Sequence, residues 1–181
     1  LVQGSRVQKV FVATGNAGTA REPGLQNVPI ADIPTLAAFA ERERVQLTVV
    51  GPEAPLAAGV VDAFRAKGLR IFGPLKAAAQ LESSKDFAKR FLVKHKIPTA
   101  RYQTFSDPAK AHAFVDREGA PIVIKADGLA AGKGVVVAMT VDEAHAAIAH
   151  IFGGEGGVAH AAVGAKVVSE EFMEGEEASF I

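Results

Sequence analysis

The chain has 181 residues, of which 49% are hydrophobic and 22% charged, so it holds enough apolar material for one large domain or two small ones. Twenty basic and twenty acidic residues give a formal net charge of zero, which argues against a protein that wraps a nucleic acid. The absence of cysteine excludes disulfides, zinc–thiolate sites and a cysteine nucleophile, and it fits a cytoplasmic location. No apolar run approaches the ~20 residues that span a bilayer, so no membrane partner is expected.

Strand-like and helix-like segments alternate through the first part of the chain. Continuous apolar runs predict strands at 9–13, 47–50 and 69–72. Apolar residues at helical spacing predict helices at 33–44 and 56–67. Because the strands are almost entirely apolar and alternate with helices, the order predicts an α/β fold with a parallel sheet covered on both faces.

A loop rich in glycine or proline follows each of these three strands, at 15–19, 51–56 and 73–75. Loops at the carboxyl ends of parallel strands are where ligands usually bind. Such residues can also serve only to make a tight turn, and for any one loop that is the commoner explanation. Three such loops, two of them beginning with Gly-Pro, favour a shared ligand site.

The second part of the chain predicts a smaller α/β unit. Ser83 or Ser84 caps a helix that runs to His95 with a stripe of aromatic and leucine side chains, and we place the domain boundary before it, giving domains 1–83 and 84–181. Further helices are predicted at 108–118 and 141–152, the second capped by Thr140, with strands at 121–126, 135–139 and 166–172. A glycine cluster at 153–157 predicts a flexible loop.

The stretch from Ile122 to Val137 is predicted to bind phosphate. Lys125 ends a very apolar strand, where burying its stem is unfavourable unless the ammonium meets an anion. Lys133 adds a second cation, and three glycines leave backbone N–H groups free to approach the anion: Gly128, Gly132 and Gly134. The glycine spacing does not fit a Walker A loop, and the chain continues into a strand rather than a helix. We therefore expect the tip of a β-hairpin that closes over phosphates, with a hairpin that binds no ligand as the alternative.

The last predicted strand ends in an acidic segment, 170–177, with five carboxylates in eight residues. Backbone groups of 170–173 could bind the edge of a purine. Phe172 and Met173 would pack against its ring, and the Glu177 carboxylate would accept hydrogen bonds from the ribose hydroxyls. The candidates for this adenosine site are Glu170, Glu171, Phe172, Met173 and Glu177. A solvated acidic turn is the alternative.

Lys85 lies in the first turn of the helix that Ser83 or Ser84 caps. A lysine there opposes the helix dipole, so it is mildly unfavourable unless an anion occupies the terminus. The alternatives are an anion contact and an ordinary surface lysine.

Taken together, these elements resemble the ATP-grasp superfamily, in which a Rossmann-like domain precedes the nucleotide-binding domain. Within it the chain resembles the glycinamide ribonucleotide synthetase family over essentially all 181 residues. The strings that carry the resemblance are 11–19, 50–56, 72–74, 79–85, 125–135 and 170–179.

The resemblance implies a C–N bond-forming ligase of purine biosynthesis that uses ATP and Mg²⁺ to join glycine to 5-phosphoribosylamine. Glycine's carboxylate would attack the γ-phosphate to give glycyl phosphate and ADP, and the amine would then displace phosphate. Lys85 and Lys125 would hold the α- and β-phosphates, covered by Gly132–Gly134. The candidates for the phosphoribosylamine side are Asn16, Gly51, Pro52 and Glu53. No side-chain nucleophile is required, and the protein is expected to be a monomer.

The chain lacks an initiator Met and stops within a further segment, 177–181, that reads as a strand, so we expect an interior piece of a longer protein. The resemblance implies that the family's first strand precedes Leu1 and that the magnesium ligands follow Ile181, which would leave this piece inactive alone. The histidines are expected at the surface: His95, His112, His145, His150 and His160. Two alternatives remain, another ATP-grasp carboxylate–amine ligase or carboxylase, and a nucleotide-binding module without catalysis.

Overall fold

The computed structural model of the protein describes residues 2–129, 134–153 and 165–178. The chain forms two compact units, Leu1–Ala79 and Gln80–Ile181, which we call the N-terminal and the C-terminal unit. Within the described ranges, no helix is long and apolar enough to cross a membrane.

The N-terminal unit contains two pairs of parallel strands, as the alternation of strands and helices predicts. The pairs are β1 (Val10–Ala13) with β2 (Leu25–Val28), and β3 (Thr48–Val49) with β4 (Ile71–Phe72). The helices are α1 (Ile33–Arg42), α2 (Glu53–Ala58) and α3 (Val60–Ala66), followed by α4 (Lys76–Ser83).

The core of this unit lies between α1, α3 and β4. Ala37 and Ala40 of α1 meet the apolar face of α3, where Val61 and Phe64 are fully buried. Asp32 starts α1 by accepting a hydrogen bond from the backbone N–H of Thr35, which satisfies one of the free donors of the first turn.

The single helix predicted at 56–67 is wrong. The structure has two short helices there, α2 and α3, and α2 begins at Glu53 inside the predicted loop. The break falls at Gly59, whose φ of 92° places it in the left-handed region. Glycine adopts this conformation without the Cβ clash that other residues meet, so the helix ends and restarts around it.

Coverage of the parallel strands on both faces is also not observed. Val49 is 45% exposed and Phe72 is 70% exposed, although both lie on strands. Three elements were not predicted at all, β2, α4 and a strand at Tyr102–Phe105. The two strands mix polar with apolar residues over four positions, too short a pattern to show a period.

The C-terminal unit is built on a four-stranded antiparallel sheet in the order β5-β8-β6-β7. Its strands are β5 (Tyr102–Phe105), β6 (Ile122–Ala126), β7 (Val135–Ala138) and β8 (Val167–Glu171). Its helices are α5 (Lys85–Lys94), α6 (Pro108–Glu118) and α7 (Val141–Ile151). The predicted β-hairpin is confirmed, because β6 and β7 pair antiparallel with Lys125 opposite Val135.

Two helices cover one face of this sheet. Side chains alternate between the faces of a strand, so Ile122 and Ile124 lie on one side and Val123 and Lys125 on the other. The first side packs against α6 and α7, and its core residues include Val115 and Ile148, both fully buried. The face that carries Lys125 is therefore free of these two helices.

Helix α7 begins as predicted. Thr140 and Glu143 form a capping box, in which each side chain binds the other residue's backbone N–H. His145 of α7 and His112 of α6 are half-buried and their Nδ1 atoms lie 2.5 Å apart, so these two side chains are less exposed than the prediction of surface residues suggests. His160 lies outside the described residues.

Candidate functional site

The face of the C-terminal sheet that carries Lys125 is partly open. Val135 and Val137 on this face are 46% and 50% exposed, and the Lys125 side chain beside them is 25% exposed. We call the surface formed by Val123, Lys125, Val135 and Val137 the open face. It offers an apolar floor and one ammonium group, a combination that suits a flat or aliphatic ligand part next to an anion.

The Lys125 ammonium has a carboxylate partner in the protein. Its Nζ lies 2.9 Å from Oε2 of Glu170 on the neighbouring strand β8. The same oxygen lies 2.8 Å from Nζ of Lys89 in α5. The requirement that Lys125 meet an anion is therefore satisfied within the chain, by a residue that the sequence suggested for another purpose.

The start of α5 is bound to the turn that follows β6. Ser84 caps α5 by accepting from the N–H of Phe87 at 3.1 Å, and its hydroxyl donates to Asp127 at 3.2 Å. Lys85 Nζ donates to the carbonyl of Gly128 at 2.9 Å. Of the two predicted phosphate contacts, Lys125 thus lies one residue before the end of β6, and Lys85 binds the chain three residues further on.

The loop of the hairpin is described only at its two ends. The N–H of Ala126 donates to the carbonyl of Gly134 at 2.7 Å, which closes the base of the loop. Gly128 has a φ of 102°, a conformation that other residues avoid. Gly132 and Lys133 lie outside the described residues, so their predicted contacts with phosphate stay predictions.

Two carboxylates of the acidic segment already have cationic partners. Glu170 is 6% exposed and bound to Lys89 and Lys125. Glu171 accepts from the backbone N–H of Arg101 at 2.9 Å and from its guanidinium. The backbone hydrogen bond, followed by the guanidinium, holds the pKa of Glu171 below its ordinary value.

The rest of the acidic segment is more accessible. Phe172 is half-buried, Met173 is 66% exposed, and Glu177 is exposed. These positions leave Phe172 and Met173 free to meet a ring, and Glu177 free to accept hydrogen bonds. Their part in an adenosine site remains a prediction.

The loop after β1 is held by its own side chains. Asn16 Oδ1 accepts from the N–H groups of Gly18 and Thr19 at 2.8 and 3.0 Å. Thr19 Oγ1 lies 2.7 Å from Asn27 Oδ1, and Asn27 Nδ2 donates to the Asn16 carbonyl. The side-chain oxygen of Asn16 is thus engaged within the loop, so a substrate would meet its Nδ2 group or the backbone.

The remaining candidates of the N-terminal unit lie at the start of α2. Pro52 precedes the helix and Glu53 lies in its first turn, where a carboxylate is favourable near the positive end of the helix dipole. Gly51 is exposed, and a Cβ built on it meets nothing within 4 Å. The next loop lies close by, because a Cβ at Gly73 would come within 2.9 Å of Leu56. Among the described contacts, Asn16 is joined to none of these residues.

Buried charges beside the open face were missed. In α5 the predicted apolar stripe is only half-buried, whereas Asp86 and Lys89 are 7% and 8% exposed. Asp86 binds Lys166 at 2.9 Å and Arg90 at 3.3 Å. Burial alone would raise the pKa of Asp86, but the hydrogen bond and charge of Lys166 lower it below its ordinary value. Asp86 and Lys89 are three residues apart, and opposite charges at this spacing usually lie on the solvent-exposed face of a helix. The sequence therefore does not indicate that these two side chains are buried.

Known protein families and proteins match this chain over its whole length. Residues 1–82 match the family model "Phosphoribosylglycinamide synthetase, N domain", and residues 83–181 match "Phosphoribosylglycinamide synthetase, ATP-grasp (A) domain". The phosphoribosylamine–glycine ligase of Ralstonia nicotianae is 69% identical over 100% of this chain, and that of Escherichia coli K12 is 60% identical over 99%. The chain spans 42% of the length of each of these relatives.

Solved structures agree with this match. Phosphoribosylamine–glycine ligase from Thermotoga maritima has a TM-score of 0.69 and 33% identity, covering 93% of this chain and 39% of its own. D-alanine–D-alanine ligase from Bacillus anthracis, at 16% identity and a TM-score of 0.62, shares the fold over 83% of this chain and 46% of its own. Since the two family models together match residues 1–181, the chain belongs to the phosphoribosylglycinamide synthetase family and carries its N domain and an ATP-grasp domain.

Proposed function

We propose that this chain supplies the ATP-binding part of a phosphoribosylamine–glycine ligase. The complete protein would join glycine to 5-phosphoribosylamine and release ADP and phosphate, as a step of purine biosynthesis. The observation that carries the proposal is the Lys125 ammonium on a partly open apolar face, in a chain 69% identical to a protein of that name.

The open face suits ATP. Lys125 would exchange Glu170 for a phosphate oxygen, and Lys85 would turn from the Gly128 carbonyl to a second phosphate. A phosphate oxygen is a stronger acceptor than the neutral carbonyl that Lys85 would leave, whereas Lys125 would exchange one charged partner for another. The loop between β6 and β7, with Gly132, Lys133 and Gly134, would cover the phosphates and exclude water.

The purine would lie beside the end of β8. Backbone groups from Glu170 to Met173 would meet its edge, with Phe172 and the exposed Met173 against the ring and Glu177 on the ribose. The two partnered carboxylates, Glu170 and Glu171, would fix this segment rather than contact the nucleotide through their side chains.

The reaction would need positioning and charge neutralisation more than acid–base groups. Glycine's carboxylate would attack the γ-phosphate, ADP would leave, and the amine of phosphoribosylamine would displace phosphate from glycyl phosphate. We propose the N-terminal domain, 1–83, as the phosphoribosylamine side, with Asn16, Gly51, Pro52 and Glu53 as contacts. The domain 84–181 would hold the nucleotide in a monomeric, cytoplasmic enzyme.

Magnesium does not fit the described part of this chain. Among the described residues, no group of three or more histidine, aspartate or glutamate side chains could hold a metal ion. Glu170, Glu171 and Asp86 are paired with lysine or arginine instead, and Asp127 accepts from the Ser84 hydroxyl. We therefore assign no step to magnesium here.

The proposal is tested with the complete protein. ADP release should require glycine and phosphoribosylamine together, and omitting either should reduce it to background. Equal release with an unrelated amine or carboxylate would favour another ATP-grasp ligase or carboxylase. Binding of ATP without turnover under any of these conditions would favour a nucleotide-binding module.

A further inference from the structure

One buried carboxylate beside the open face is shared by two lysines. Lys89 and Lys125 contact the same oxygen of Glu170, at 2.8 and 2.9 Å. The side chains of Lys89 and Glu170 are 10% and 7% exposed, and that of Lys125 is 25% exposed. The cluster holds two positive charges and one negative charge, so it carries a net charge of +1 in a place that water reaches poorly.

The two lysines differ in how firmly they are held. Lys89 Nζ also donates to Thr99 Oγ1 at 2.8 Å and to the Ala100 carbonyl at 3.3 Å. With Glu170 these contacts use all three donors of an ammonium group. Lys89 therefore stays bound to Glu170 and to the segment that joins α5 to β5. Lys125 is more exposed and lies at the open face, so it is the lysine that can leave.

We propose that Lys89 is a positioning residue that lets Lys125 exchange Glu170 for a nucleotide phosphate. The inference rests on the proposed role of Lys125 in nucleotide binding. When Lys125 turns to the phosphate, Glu170 keeps one cation, Lys89, and the buried carboxylate stays compensated. Without Lys89, the departure of Lys125 would leave a buried charge without a partner, which is strongly unfavourable. Lys125 would then stay on Glu170 and the nucleotide would bind more weakly.

Neighbouring cations are engaged elsewhere among the described residues. Lys166 and Arg90 bind Asp86, and Arg101 binds Glu171. Glu171 would lose this partner if Arg101 moved to Glu170, and Asp86 would lose one of its two cations if Lys166 or Arg90 moved. Lys89 is thus the described cation best placed to compensate Glu170 after Lys125 moves away.

The test compares ADP binding by variants of the complete protein, measured by calorimetry. Lys89→Met should weaken ADP binding about 5- to 30-fold, as much as the loss of the Lys125 contact itself, and Lys89→Arg should keep it within about threefold of wild type. The double variant Lys89→Met/Glu170→Gln should recover most of the loss, because a neutral amide needs no counter-ion. Lys110→Met, on α6 at the opposite face, is the matched control and should bind ADP like wild type.

The double variant separates this inference from a purely structural effect. If Lys89 only stabilised the fold, the double variant would bind ADP as weakly as Lys89→Met or worse, and the proposal would be wrong. If Lys89→Met alone does not fold, a folded double variant that binds ADP within about threefold of wild type supports the proposal, and one that does not fold or bind overturns it.

Failure of the proposed function gives a different result. If wild type binds no ADP, or Lys125→Met leaves its dissociation constant unchanged, the nucleotide site itself is wrong and the Lys89 proposal falls with it. If Lys125→Met weakens ADP binding and Lys89→Met does not, only the Lys89 proposal is refuted.

Discussion

Replacing Lys125 by methionine removes the ammonium from the open face and keeps most of the side-chain volume. The fold should tolerate this change, because Glu170 keeps Lys89 as its partner at 2.8 Å and is not left as an uncompensated buried charge. A loss of nucleotide binding in this variant would therefore report the missing contact and not unfolding.

The size of the effect follows from the contacts that are exchanged. A hydrogen bond to a charged group contributes about 1.5–3 kcal/mol. Wild type must first give up the contact between Lys125 and Glu170 at 2.9 Å, a pair whose lysine side chain is 25% exposed, so part of that gain is offset. We expect a net loss of roughly 1–2 kcal/mol, which raises the dissociation constant about 5- to 30-fold.

Calorimetry with ADP and the complete protein measures this change directly. Lys110→Met is the matched control, because Lys110 is exposed on a helix that packs against the other face of the sheet. The thermal unfolding midpoint without nucleotide should be similar in all three proteins. A dissociation constant for Lys125→Met within about twofold of wild type would refute the assignment of Lys125 to the site.

Three further outcomes follow from local geometry. Ser84→Ala removes the cap of α5 and the hydroxyl bound to Asp127, so urea unfolding should show a loss of about 1–3 kcal/mol, with Ser83→Ala changing little. Gly73→Ala should lower the thermal midpoint because its Cβ would meet Leu56, whereas Gly51→Ala, in open space, should leave it unchanged. The pKa of Asp86 is lower in the folded protein than in the unfolded chain, so its ionised form stabilises the fold. This stability is present above the unfolded pKa and is lost as pH falls through the folded pKa. The free energy of unfolding of Asp86→Asn should therefore fall less steeply with pH below about pH 4. Equal stability of Ser84→Ala and Ser83→Ala, or of Gly73→Ala and Gly51→Ala, would contradict the first two expectations. An acid unfolding curve of Asp86→Asn as steep as that of wild type would contradict the third.

Features set by neighbouring residues could be predicted from the sequence. Ser84 caps α5 and Thr140 caps α7, because the cap and the N–H that it accepts from lie within a few residues. The hairpin of β6 and β7 was also predicted, since two apolar runs flank a glycine-rich loop. In each case the deciding contact is local, so a short window of sequence contains it.

Features that depend on distant residues could not be predicted in this way. Lys166 binds Asp86 across 80 residues, and Arg101 binds Glu171 across 70. Burial of Lys89 and Glu170 depends on which face of α5 meets β8, which no local pattern specifies. The sequence therefore indicated a cation at Lys125 but not the carboxylate that holds it or the second lysine behind it.

Gly59 illustrates a different reason for error. The apolar spacing across 56–67 is that of one helix, and a single glycine inside such a pattern is usually tolerated at a modest cost. The structure instead uses the left-handed conformation of Gly59 to end α2 and begin α3. The apolar spacing includes Val60, Val61 and Phe64, which are the buried face of α3, but it does not show the break before them.

The most direct test of the account is a crystal structure of the complete protein with ADP. We expect the phosphates over the open face, with Lys125 Nζ moved from Glu170 to about 2.7–2.9 Å from a phosphate oxygen. Glu170 should still be bound to Lys89, and the purine should lie beside Met173. A nucleotide bound elsewhere, with the contact between Lys125 and Glu170 intact, would contradict the account.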